Sequence, residues 1–126
     1  MRYGEEQGPL AIAHRGGMAL GPENTLATFE RATALGVRYL ETDVQTTSDG
    51  GLVCFHDTSL TRTTGVSGSV GEHSLKSLRS LLVDDREPIP TLAEALGSLP
   101  EARFAIDLKD EASSAAMISL LRRNPD

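Results

Sequence analysis

Leu40-Glu41-Thr42-Asp43-Val44, residues 40–44, closes an apolar run that starts at Val37 and reads as a β-strand over 37–44. Side chains alternate across a strand, so Glu41 and Asp43 share one face. Upstream, Leu26, Phe29, Ala32 and Leu35 form the apolar stripe of a helix that starts near Thr25. Asn24 is its expected N-cap, Pro22 precedes it, and Gly36 is its stop. Further back, the loop His14 to Glu23 follows a short apolar strand, Leu10-Ala11-Ile12-Ala13.

Downstream, a Ser48-Asp49-Gly50-Gly51 turn leads into a strand over 52–55 that ends at His56-Asp57. The Thr-, Ser- and Gly-rich stretch 58–71 reads as loop. Short helices are expected over 75–82 behind Ser74 and 92–96 behind Thr91, then a strand over 104–108 and a helix over 112–123. Alternating strands and helices indicate parallel βαβ units, hence an α/β fold. A TIM-type (β/α)8 barrel needs eight such units and roughly 250 residues. The 126 residues here supply about half of one, so residues 1–126 read as the N-terminal part of a single barrel domain. The ending Asn124-Pro125-Asp126 reads naturally as leading into further βα units.

Composition narrows the function. A net charge of −6 argues against a general nucleic-acid partner, which Lys and Arg would have to grip. An acidic chain that acts on phosphate esters needs a local device, usually a cation, to reverse the potential at its site. No stretch approaches the roughly 20 apolar residues of a membrane span, and Met1 to Gln7 has no apolar signal core. One cysteine, Cys54, excludes an internal disulfide and fits a cytoplasmic location. Its apolar strand makes it a core residue.

Polar residues gather at the strand ends, where parallel barrels assemble their active sites. Two carboxylates on one face, Glu41 and Asp43, repel each other and call for a proton or a cation. A hard ion such as Mg²⁺ or Ca²⁺ prefers such oxygen ligands, and Asp107 can add a third. The same Glu-x-Asp is also compatible with a plain solvent-facing strand end. His14 and His56 suit general acid–base work on a phosphodiester, although each taken singly also suits a structural hydrogen bond. His73 reads as a surface residue. Arg15 and Lys109 are candidate phosphate ligands, Arg15 equally an ion-pair partner. Asp110-Glu111 reads as the negative start of the last helix.

At these residues the chain resembles the glycerophosphodiester phosphodiesterase family. The similarity runs in order through Ile12-Ala13-His14-Arg15-Gly16-Gly17, Pro22-Glu23-Asn24-Thr25, Leu40-Glu41-Thr42-Asp43-Val44, Val53-Cys54-Phe55-His56-Asp57, Leu60-Thr61-Arg62-Thr63-Thr64-Gly65 and Ile89 to Leu96. The resemblance implies a TIM barrel that hydrolyses glycerophosphodiesters to glycerol 3-phosphate and an alcohol. It implies a divalent metal on Glu41 and Asp43, His14 and His56 as the acid–base pair, and Arg15 at the phosphate. Where the family usually shows Glu-x-Lys, this chain has Asp107-Leu108-Lys109. That makes Asp107, one methylene shorter, the implied third ligand and Lys109 the implied phosphate-binding lysine. A lysophospholipase D-like or phospholipase-like relative on the same barrel is the neighbouring reading. A non-catalytic, truncated remnant is the reading from a different class.

Overall fold

The computed structural model describes residues 11–123; Leu10, the N-terminal segment and residues 124–126 lie outside the described residues. The elements run β1 (Ile12–Ala13), α1 (Leu26–Ala34), β2 (Tyr39–Thr46), β3 (Leu52–Cys54), α2 (Thr61–Thr64), α3 (Leu75–Arg79), β4 (Leu82–Val83), β5 (Glu87–Pro88), α4 (Leu92–Ser98), β6 (Arg103–Leu108) and α5 (Ala112–Arg123).

β2 organises the molecule. β6 lies parallel along one edge, with Tyr39 opposite Arg103 and Val44 opposite Leu108. Two short strands share the other edge: β1, parallel at Tyr39 and Leu40, and β3, antiparallel at Val44 to Thr46. The antiparallel β3 corrects the expectation of successive parallel units. A parallel return needs a crossover of a dozen or more residues, and the link here is the tight turn after Thr46. Thr47 N–H donates to the Gly51 carbonyl and Thr47 Oγ1 accepts from Gly51 N–H, both at 2.8 Å. Among the described residues the parallel strands are therefore β1, β2 and β6.

Helix ends follow local chemistry. α1 stops in a Schellman motif: Gly36, at φ +92°, donates to Thr33 O, and Val37 N–H donates to Ala32 O. That closure consumes residues 35–37 and starts β2 two residues later than its apolar run suggests. Ser74 caps α3 through Ser77 N–H, and Thr91 with Glu94 forms a capping box on α4. α3 ends at Arg79 rather than near Leu82, because β4 and β5 form a hairpin there. Its turn residues Asp84 and Asp85 both have positive φ, a mirror-image turn that Asn-Gly usually announces. The stretch read as loop contains α2 and a 3₁₀ turn, Val70–Glu72.

Leu40 and Val44 bury one face of β2 against Phe29 and Ala32 of α1, Leu92 and Ala95 of α4, and Leu120 of α5. Phe29 meets Phe104 of β6 edge to face, with ring centroids 5.4 Å apart. Burying a ring of this size contributes about 1.5–3 kcal/mol. The backbone also packs against that ring: a Cβ on Gly16, at φ +81°, would lie 2.4 Å from Phe29 Cδ1. The glycine pair after His14 thus serves close packing in the fold. A second cluster, with Val53, Phe55, Leu60, Val70, Leu78, Val83 and Ile89, supports the segment after β3.

Candidate active site

Because Leu40 and Val44 face the helices, Glu41, Asp43 and Gln45 face the other way. β1 ends beside Leu40 and β3 ends beside Val44 on the same edge of β2. His14-Arg15 therefore leaves that edge just before residues 41–43, and Phe55-His56 returns to it just after them. Phe55 N–H closes the gap by donating to Asp43 O at 2.9 Å. His56 reaches the site by an antiparallel return, not from the end of a further parallel strand. Gln45 holds this return in place, its amide donating to the carbonyls on both sides of His56, Phe55 O at 2.8 Å and Asp57 O at 2.7 Å.

Glu41, Asp43 and Asp107 bring one carboxylate oxygen each within 4.8 Å of one another. Asp43 is buried, Glu41 half-buried and Asp107 exposed. Burial raises the Glu41 pKa above the usual carboxylate value; the Arg15 N–H bond at 2.8 Å opposes this and the like charge of Asp43 adds to it. Lys109 Nζ lies 2.7 Å from Asp107 and 3.4 Å from Asp43. The Asp107 hydrogen bond, joined by both negative charges, holds the lysine pKa above its ordinary value. The donor set is all carboxylate, which fits a hard divalent cation such as Mg²⁺ or Ca²⁺ and not a thiolate-seeking metal.

Asn24 is a site residue, not the expected N-cap. It is buried at φ +55°, and Thr25 holds the cap position of α1. A carboxylate only accepts, so the Asn24 amide nitrogen faces Asp43 Oδ2 at 3.1 Å while its oxygen accepts from Thr42 Oγ1 at 2.9 Å. Asp43 Oδ1 is the oxygen left towards Lys109.

A second network lies beside the carboxylates. Arg15 donates to Glu23 at 3.3 Å and to His56 Nε2 at 2.9 Å. A guanidinium has no acceptor, so His56 Nε2 accepts, and Nδ1–H donates to Asp57 Oδ1 at 2.7 Å. Arg62 of α2 donates to Asp57 at 2.8 and 3.0 Å and to Glu23 at 2.7 and 2.9 Å. Those Arg62 bonds, with the His56 bond behind them, hold the Asp57 carboxyl well below the usual carboxylate range. Arg15 Nε is buried and has no hydrogen-bond partner among the described residues. His14 is the open member: its side chain is 66% exposed and Nε2 lies 3.9 Å from Glu41.

All seven residues singled out by the sequence are thus linked by direct contacts: His14, Arg15, Glu41, Asp43, His56, Asp107 and Lys109. Sequence reasoning passes over Glu23, Asn24, Gln45, Asp57 and Arg62 as site residues. The only local signal for Glu23, Asn24, Asp57 and Arg62 is their place inside the matched motifs, and Gln45, one residue past Val44, has not even that. His73 is apart from this group; it is half-buried, with Nδ1 3.2 Å from Ser77 Oγ. Cys54 is core, its thiol pushed up to about 12 by burial. Among the described residues, no helix is long and apolar enough to cross a membrane.

Comparison with known proteins bears on the family and the fold. Residues 14–120 match the profile of the glycerophosphoryl diester phosphodiesterase family. A probable glycerophosphodiester phosphodiesterase 2 of Mycobacterium tuberculosis is 36% identical over 98% of this chain and 46% of its own length. The glycerophosphodiester phosphodiesterase of Caldanaerobacter subterraneus is 38% identical over 79% of this chain and 44% of its own. An Oleispira antarctica phosphodiesterase, solved with the product sn-glycerol-3-phosphate, superposes with a TM-score of 0.85 at 34% identity, covering 91% of this chain and 52% of that one. An Agrobacterium tumefaciens glycerophosphodiester phosphodiesterase superposes at 0.84 and 33% identity, covering 92% and 53%. The chain spans about half the length of the relatives it matches, and its fold is the N-terminal half of their TIM-type barrel.

Proposed function

The chain belongs to the glycerophosphoryl diester phosphodiesterase family, and on that footing we propose that it carries the catalytic half of an enzyme that hydrolyses glycerophosphodiesters to glycerol 3-phosphate and an alcohol. The observation that carries this reading is the meeting of a three-carboxylate cluster with two histidines and two cations along β2. Residues 1–126 act in it as the first portion of one barrel domain, and the setting is cytoplasmic.

Glu41, Asp43 and Asp107 are the residues that would hold a divalent cation, Mg²⁺ or Ca²⁺. When bound, such an ion supplies charge stabilisation at the phosphoryl oxygens. Asn24 keeps Asp43 Oδ2 engaged, which presents Oδ1 to the cluster. Arg15 and Lys109 bind the phosphate: Arg15 has a donor, Nε, that no acceptor among the described residues satisfies, and Lys109 stands over the carboxylates.

His56 is the base. With Nδ1–H tied to Asp57, its Nε2 lone pair takes the proton of the attacking hydroxyl once Arg15 turns to the phosphate. His14, open to solvent beside Glu41, gives a proton to the departing alcohol oxygen. The P–O bond to the alcohol breaks as the bond to the attacking oxygen forms. That oxygen belongs to water, or to the glycerol 2-hydroxyl, whose cyclic phosphate water then opens. The proton His56 takes up is matched by the one His14 gives.

The test is glycerol 3-phosphate release from glycerophosphocholine by the purified chain with Mg²⁺, with Ca²⁺ and with EDTA. Release that depends on the added ion supports the reading. Absence of release with every ion overturns it for this chain.

A further inference from the structure

Five side chains close a ring: Arg15 to Glu23, Glu23 to Arg62, Arg62 to Asp57, Asp57 to His56, and His56 back to Arg15. From this closure we propose that Glu23 and Arg62 are positioning residues of the active site, which lock His56 in the tautomer whose Nε2 accepts. The inference rests on the phosphodiesterase reading, since it gives the lock its purpose.

The geometry of the ring carries the argument. Arg62 presents two edges of one guanidinium. Nη1 and Nη2 form a fork on Glu23, and Nε and Nη2 form another on Asp57. A planar guanidinium can bridge two carboxylates in this way, whereas a lysine ammonium is a single point charge. Both oxygens of Asp57 are thereby engaged, and Oδ1 faces His56 Nδ1. A neutral imidazole carries one proton, and its site follows the hydrogen bond the other nitrogen makes. Asp57 demands the proton at Nδ1, and Arg15 demands a lone pair at Nε2.

Glu23 sets the second demand. It is buried and takes up both Arg62 and Arg15, so the Arg15 guanidinium stands against His56 rather than against the carboxylate cluster. The ring joins residues 39 and 41 positions apart, from the β1 exit, the β3 exit and α2. Its charges, two arginines against two carboxylates, sum to zero around a neutral imidazole. Without Arg62, Asp57 keeps only the His56 contact and loses its fixed rotamer. His56 is then free to drift toward the Nε2–H tautomer, whose Nε2 has no lone pair for a proton.

The experiment reads ring ¹⁵N shifts of His56 in the 126-residue chain, at an alkaline pH where imidazoles are neutral, with far-UV circular dichroism for folding. The Nδ1–H form is expected to dominate in the parent chain. Arg62→Gln and Glu23→Gln are expected to lower the ratio of Nδ1–H to Nε2–H severalfold, and Arg62→Lys, which keeps the charge, is expected not to restore it. A parent chain that shows Nε2–H overturns the inference, as do folded variants with an unchanged ratio. Should Arg62→Gln fail to fold, the parent spectrum and Glu23→Gln decide by the same criteria. The readout needs no turnover. An altered tautomer without catalysis upholds the lock and counts against the phosphodiesterase reading, and catalysis with an unaltered tautomer does the reverse.

Discussion

Asp43 and Asp107 stand directly opposite each other across the β2–β6 ladder, and the Lys109 ammonium reaches both carboxylates, at 3.4 and 2.7 Å. In this arrangement the lysine neutralises the pair that the proposed cation would neutralise in its place. Asp43→Asn is expected to weaken Mg²⁺ or Ca²⁺ binding by about tenfold or more, measured by calorimetry. Lys109→Met is expected to strengthen ion binding, because a competing charge is gone, while raising KM for the anionic diester. Stronger binding by Asp43→Asn would remove that residue from the ligand set.

The two site histidines separate from the third by their surroundings. His14 and His56 touch Glu41, Arg15 and Asp57, whereas His73 meets Ser77. His14→Ala and His56→Ala are each expected to lower kcat by roughly 10²–10⁴-fold, and His73→Ala to leave it near the parent value. Glycerol 3-phosphate release under saturating substrate checks this, and equal tolerance of the three would remove the acid–base assignment.

Asp110 supports the fold from outside the site. Its carboxylate accepts from Ser113 N–H at the start of α5 and from Thr46 N–H and Oγ1 at the end of β2. Burial alone would raise its pKa, but these donors outweigh burial and hold it below the ordinary aspartate value. A depressed carboxyl contributes stability that is fully present above its ordinary value and is lost as pH falls through the folded value. Asp110→Ala is expected to cost about 1–2 kcal/mol at neutral pH. The gap from the parent should close on acidification below the ordinary aspartate range, as read by urea unfolding at each pH.

Gly16 and Gly50 both sit at positive φ, but only Gly16 is crowded. Gly50→Ala meets open space and is expected to cost about 1 kcal/mol of backbone strain. Gly16→Ala must also displace the Phe29 ring and is expected to cost about 1–3 kcal/mol more. Urea midpoints at constant m-value check the difference; equal costs would mean that the ring yields freely.

What could be read from the chain alone was set by short-range chemistry. Gly36 after an apolar helical stripe stops α1, Ser74 and Thr91 start helices, and two-residue spacing puts Glu41 and Asp43 on one face. These effects act within a few residues, so a linear pattern contains them. The motif order along 12–109 identified the family for the same reason: it is a property of sequence. Other features depended on which strands became neighbours. That β1 and β3 share one edge of β2 brings His14 and His56 together, and no local pattern states it. Asn24 looked like a cap because its neighbours suit one, yet Thr42 and Asp43, 18 and 19 residues away, take up its side chain. Arg62 looked like loop, and its role exists only because Glu23 and Asp57 arrive beside it. Residue types, the stop of α1 and the starts of α3 and α4 were determined by the sequence itself. The partners of each charged group were decided by the tertiary structure, because hydrogen bonds and ion pairs act over a few ångströms of space, and only the sheet brings residues 26 to 64 positions apart within that range.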